Sequence, residues 1–148
     1  MIRIQRLALT AVLAAGTLSA GEKTMMHCFA FTEIKEATPE QWTEWKKSTD
    51  ALPKTMKGII KRVWHGKLRA PLNQFRTDGA TGKKLAAGET GVTGPVERLQ
   101  RQYGVCMEMV GGPSALKAYT GHPGHKEWSA LYAKVRVAGT TTYDILGE

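Results

Sequence analysis

Two cysteines in 148 residues exclude a scaffold built on a network of disulfides. No uncharged apolar run reaches the roughly 18 residues that span a bilayer, so no membrane-spanning helix is expected. Aromatic residues are only 7% of the chain, and neither a heptad repeat nor a Gly-X-Y repeat occurs. Collagen and coiled-coil classes are therefore excluded. Acidic residues are outnumbered, 13 against 21 basic, for a net charge of +8. Apolar residues at 42% and charged residues at 23% are an ordinary globular mix, and the length suits about one domain.

The first residues read as an address. Arg3 and Arg6 precede an uncharged stretch from Leu7 to Leu18, and Ser19, Ala20 and Gly21 are small. This is the three-part pattern of a secretory signal peptide, with residues 1–21 removed and 22–148 forming the domain. Export to a periplasmic or extracellular space is expected.

The positive charge is local. Ten basic residues lie between Lys57 and Arg101, against Asp78, Glu89 and Glu97. Trp64, Phe75 and Tyr103, in or beside this stretch, form no stacking array of the kind that reads a nucleic acid. A solvated basic surface is expected, with no nucleic-acid partner.

The rest of the chain reads as two β-α-β halves. Residues 25–33 alternate as a strand, with His27, Phe29 and Phe31 on one face and Cys28 on the other. Thr38-Pro39-Glu40-Gln41 carries the signals of a helix start: an N-cap, proline at the first position and glutamine at the third. Trp42, Trp45, Thr49 and Leu52 recur at helical spacing, and Trp42 and Trp45 are expected in the core. Pro53 predicts an end or kink near Leu52. A second strand follows from Ile59 to Gly66, and His65 at its end is expected at the surface. Residues 67–100 lose periodicity and hold five of the chain's glycines between Gly79 and Gly94, which predicts a long connection, with residues 70–98 mobile and dispensable for folding. Tyr103, Val105, Met107 and Met109 alternate in a third strand. Helical stretches follow around Leu116 and Trp128, and residues 139–146 form the last strand. The order predicts an α+β fold with helices on one face of a four-stranded antiparallel sheet.

The run from Ser114 to His125 holds Tyr119, two residues, then His122-Pro123-Gly124-His125. It resembles the hallmark of the stress-responsive A/B barrel family, called Dabb. The opening strand around His27 to Phe31 and the closing Tyr143-Asp144 are similar to that family's first and last strands. The resemblance spans about residues 25–148, with 67–100 standing as an insertion. It implies a ferredoxin-like β-α-β-β-α-β protomer that forms a homodimeric α/β barrel. Functions within the family differ. The distant similarity to its member olivetolic acid cyclase implies catalytic roles for Tyr119 and His125, with His27 and Asp144 beside them.

A histidine titrating near neutrality suits removal of a proton beside a carbonyl, and a tyrosine hydroxyl suits the developing enolate oxygen. His27, Phe29, Phe31, Val105 and Met107 are expected to wall a pocket for a small apolar or aromatic ligand, with His122 and Asp144 also binding. A binding role without chemistry is the first expectation, and a lyase or cyclase the alternative. No cofactor motif is present. His122 and His125 are three apart, but Pro123 interrupts them and no further ligand lies in the motif, so no metal is assigned.

In a ferredoxin-like sheet of order 4-1-3-2, Cys28 and Cys106 fall on neighbouring strands and on the face opposite His27. Two buried free thiols are expected, and a disulfide is the alternative that register would decide.

Overall fold

The computed structural model describes residues 24–147. The signal-peptide reading of residues 1–21 lies outside the described residues. The elements run β1 (Thr24–Phe31), α1 (Pro39–Thr55), β2 (Ile60–Thr77), α2 (Gly79–Ala86), β3 (Val96–Val110), a 3-10 turn (Gly112–Ser114), α3 (Ala115–Gly121), α4 (Pro123–Tyr132) and β4 (Thr141–Leu146). The four strands form one antiparallel sheet in the order β2-β3-β1-β4. This is the ferredoxin-like fold, with the core between the sheet and α1 and α4.

Helix α1 starts where the sequence says. The Thr38 hydroxyl accepts from the Gln41 N–H, and the Gln41 side chain accepts from the Thr38 N–H, closing the capping box. The helix does not stop at Leu52. It carries Pro53 and runs to Thr55, because Leu52 and Met56, both buried, anchor the last turn to the sheet. Trp45 is wholly buried, and Trp42 packs against the same core.

Alternation sorts the sheet into two faces. Phe29, Phe31, Val105, Met107 and Met109 pack against Trp45, Leu52, Trp128 and Tyr132. Phe31 lies edge-on to Trp45 and to Tyr132, with ring centroids 5.6 and 4.9 Å apart. The predicted pocket wall is thus core. Phe31, Val105 and Met107 are closed off from solvent because the helices supply enough aromatic volume to fill the space above them. Gly66, Gly104 and Cys106 stand on the other, helix-free face.

The cysteines correct the expectation of free thiols. Register pairs Cys28 directly with Cys106, the Cα atoms are 4.1 Å apart, and the two form a disulfide across the central strand pair.

The stretch expected to be a structureless connection is also corrected. Residues 67–100 are strand, helix and strand: β2 and β3 run on past the body of the sheet as a two-stranded arm, pairing Leu72 with Arg101 out to Thr77 with Val96, and α2 caps its end. Asp78 starts α2 by accepting from the Thr81 N–H. Four residues, Leu68 to Pro71, bulge out opposite Gln102 where the arm leaves the sheet. Leu68 folds back over Gly104, where a Cβ would come within 2.9 Å of it. Both faces of the arm are largely exposed, so its strands carry none of the apolar alternation that marks a half-buried strand.

The basic stretch is partly neutralised. Lys61 and Arg62 both bind the Glu108 carboxylate, at 3.0 and 2.6 Å, and hold it below the usual carboxylate range. Arg76 pairs with Glu97, and Arg101 is buried between the Thr32 and Thr141 hydroxyls. Among the described residues no helix is long and apolar enough to cross a membrane.

Candidate functional site

His27 stands on β1 opposite Asp144 of β4. Their side chains meet at 2.7 Å, Nδ1 of the imidazole to Oδ1 of the carboxylate. Direct cross-strand pairing brings together two residues that lie 117 positions apart in sequence. A carboxylate on one ring nitrogen fixes the imidazole's orientation and leaves Nε2 for other partners.

The His-Pro-x-His run builds the second half of the site. His122 is extended, with φ −75° and ψ 135°, as a residue before proline prefers. It breaks α3 from α4 and serves as the N-cap of α4. Pro123 fills the first helical position, where no N–H bond is lost. The Gly124 N–H donates to Nδ1 of His122 at 3.0 Å, so this histidine's visible task is to cap the helix. Gly124 is buried against the end of α1, where a Cβ would meet the Thr55 methyl at 2.7 Å.

This corner turns His125 back toward Tyr119. The two rings meet edge-on with centroids 4.4 Å apart, and the Tyr119 ring is also 5.8 Å from the His27 ring. Asp144, His27, Tyr119 and His125 therefore form one line across three elements and a sheet edge. Phe29 and Trp128 flank it at 5.7 Å from His27 and 6.0 Å from His125.

The electrostatics suit proton handling. Burial holds the His125 imidazole below its ordinary pKa, and the nearby His27 pushes the same way, while a hydrogen bond to the Thr120 backbone opposes them. His125 is thus a neutral base near pH 7. Burial raises the Tyr119 phenol well above its ordinary value, so it remains a donor at every physiological pH. A neutral imidazole beside a protonated phenol is able to take a proton from carbon while the phenol steadies the oxygen that gains charge.

His125, His122, Thr120, Lys126 and Ser129 line a surface groove of about 550 Å³. Tyr119 packs edge-on against the His125 ring behind the groove and is only 4% exposed. The groove is more polar than the wall of phenylalanine and methionine side chains that the sequence predicts. Phe31 and Met107 lie deeper, in the core.

A second polar cluster escaped the sequence reading. His65, expected at the surface, is half-buried under Trp45. Its Nε2 meets Asp50 at 2.9 Å and its Nδ1 meets the Tyr103 hydroxyl at 3.2 Å. Burial, with Glu33 and Asp50 nearby, raises the Tyr103 phenol. Asp50 sits on α1, and no local pattern signals that packing brings it to His65.

No family model and no curated protein sequence matches the chain. Solved structures do. A hydroxynitrile lyase from Passiflora edulis superposes with a TM-score of 0.56 at 7% identity, covering 86% of this chain and 95% of its own. A dabb family protein with a ferredoxin-like fold from Mesorhizobium loti gives 0.54 at 11% identity, covering 86% and 99%. A dimeric ferredoxin-like protein of unknown function from Jannaschia gives 0.53 at 18% identity, covering 82% and 97%. At these identities the likeness establishes the fold.

Proposed function

We propose that this chain is an exported, homodimeric protein of the stress-responsive A/B barrel type that binds a small, largely aromatic molecule at the His125 groove. The observation that carries the reading is the convergence of Asp144, His27, Tyr119 and His125, drawn from three separate stretches of sequence into one connected series of polar side chains. Packing alone requires no such line. Solved neighbours described as dimeric support the homodimer, and the Dabb neighbour supports the family reading. Export is supported by the pattern of residues 1–21 and by the Cys28–Cys106 disulfide, a bond that lasts in oxidising compartments. In this reading the ligand's polar end meets His125 and Lys126, which line the groove, with Tyr119 packed edge-on behind the His125 ring.

The second reading is a lyase, with His125 as general base and Tyr119 as hydrogen-bond donor. The Asp144–His27 pair favours it, because it sets an oriented imidazole beside Tyr119, with ring centroids 5.8 Å apart, next to the group that would donate. The same experiment tests both. Aromatic aldehydes, aromatic acids and an aromatic hydroxynitrile are titrated into wild type and His125→Ala, with binding read by calorimetry and aldehyde release by absorbance. Binding without turnover that weakens in the variant supports the binding protein. Turnover abolished in the variant supports the lyase. Neither binding nor turnover with any of these probes counts against both.

A further inference from the structure

The helix-free face of the sheet and the β2–β3 arm form one continuous surface that no helix among the described residues covers. Alternation along β3 puts Val96, Arg98 and Gln100 on the face that carries Gly104 and Cys106. Register sets Phe75 opposite Arg98 and Thr77 opposite Val96. Phe75 and Val96 therefore extend the helix-free face outward along the arm, and they are 65% and 67% exposed. On the body of the sheet, Trp64 and Tyr143 are also exposed. They border a groove of about 480 Å³, which is floored by Gly104 and Cys106 and walled by Leu68 and Pro71 of the bulge.

An isolated two-stranded ribbon is marginal in water. This one places large apolar side chains outward where a solvent-facing ribbon would carry charge. Among the described residues the arm and the groove each lack a cover, and both belong to the same chain.

We propose that the arm is a reciprocal clasp: across a two-fold axis, each copy lays Phe75 and Val96 on the other's helix-free face, with Phe75 seated in the groove between Trp64, Tyr143 and the bulge. The proposal rests on the homodimer reading above and adds the element that holds the pair. Two-fold symmetry covers both arms and both grooves at once, which no single foreign partner would do. The charge also fits. From Phe75 to Arg98 the arm holds four basic and three acidic side chains, and Arg76 is already paired with Glu97. Such a near-neutral arm suits a copy of itself better than a polyanion or an acidic membrane.

Sedimentation equilibrium of the purified chain, from nanomolar to micromolar concentration, tests the clasp. The comparison is between wild type, the double variant Phe75→Ser/Val96→Ser, and a variant with residues 73–99 replaced by a short Gly-Ser link. The expected result is a wild-type dimer whose dissociation constant rises about 30-fold or more in both variants. The double variant keeps its circular dichroism and melting under conditions where both proteins are monomeric, because it changes only exposed side chains. A wild-type dimer with unchanged variants overturns the clasp and leaves the homodimer reading standing. A wild-type monomer across the range overturns both. A double variant that fails to fold shows that the arm is packed within its own protomer, and also overturns the clasp.

Discussion

Reduction of the Cys28–Cys106 bond should be the largest single-bond perturbation available in this domain. The bond ties the two central strands and closes a loop with a sequence separation of 78, which contains α1, β2 and the whole arm. Chain-entropy arguments for a loop of that length give about 4.5 kcal/mol of destabilisation when the bond is opened, near the top of the usual range of ~2–5 kcal/mol. For a domain of this size each kcal/mol moves the melting temperature by about 3–4 °C, so the reduced protein should melt roughly 15 °C below the oxidised one. The comparison uses one polypeptide in two redox states. No side chain is removed and no cavity is made, so the difference reports the cross-link itself. Protein purified without reductant is first denatured and alkylated; mass spectrometry should find neither cysteine modified and a mass two hydrogens short. Thermal melts by circular dichroism then follow, with and without prior reduction. Two alkylated cysteines in the never-reduced protein would refute the bond. Melts agreeing within about 2 °C would refute the loop-entropy reasoning, since even half the calculated effect moves the midpoint further than that.

Other outcomes follow from single contacts. His125 has a folded pKa below its ordinary value of 6.5, so the unfolded chain binds the extra proton first. Its contribution is fully present above about pH 6.5 and is lost as pH falls through the folded value; urea midpoints of His125→Gln should therefore fall less between pH 7 and pH 5 than those of wild type. Parallel profiles would show that His125 is not held neutral. Gly124→Ala forces a methyl to within 2.7 Å of the Thr55 methyl and should cost about 1–3 kcal/mol, partly restored by Thr55→Ser. A silent Gly124→Ala would mean the α1–α4 contact is loose. Thr49→Val removes the acceptor of the Trp128 indole N–H, which it holds at 2.9 Å in the core, and should cost about 1–3 kcal/mol in a denaturant titration. A neutral result would mean that water reaches the indole.

What was legible in the sequence shared one property: it was written locally or in burial. Thr38 and Gln41 announce α1 because both halves of the capping box lie within four residues. The Tyr119 to His125 run is legible for the same reason. The arm was not, because periodicity records which face is buried, and residues 72–77 and 96–100 are mostly exposed on both faces. The cysteine bond was half legible. Alternation placed both thiols on one face of neighbouring strands, but only the register between Thr24–Val110 and Phe31–Tyr103 sets them opposite each other. His65 was misread because its partners, Asp50 and Tyr103, come from α1 and β3 and are assembled only by packing.

The burial of the expected pocket wall carries a consequence for how the site works. Phe29, Phe31, Val105 and Met107 share one core with Trp45, Trp128 and Tyr132, all of them buried, and the Trp128 and Tyr132 rings stack with centroids 4.8 Å apart. A ligand in the groove at the His-Pro-x-His corner meets the line of Asp144, His27, Tyr119 and His125 at its His125 end. It does not descend between sheet and helices. Approach from that end makes His125 the first of the four that a ligand touches, with Tyr119 reached behind it and His27 and Asp144 acting through Tyr119. His27 and Asp144 are then positioning residues. Changes there should act by shifting Tyr119, whereas changes at His125 remove the contact itself. The groove at the His-Pro-x-His corner is what separates these roles, since it is lined by His125 and not by His27 or Asp144, although Asp144 is itself exposed at the sheet edge.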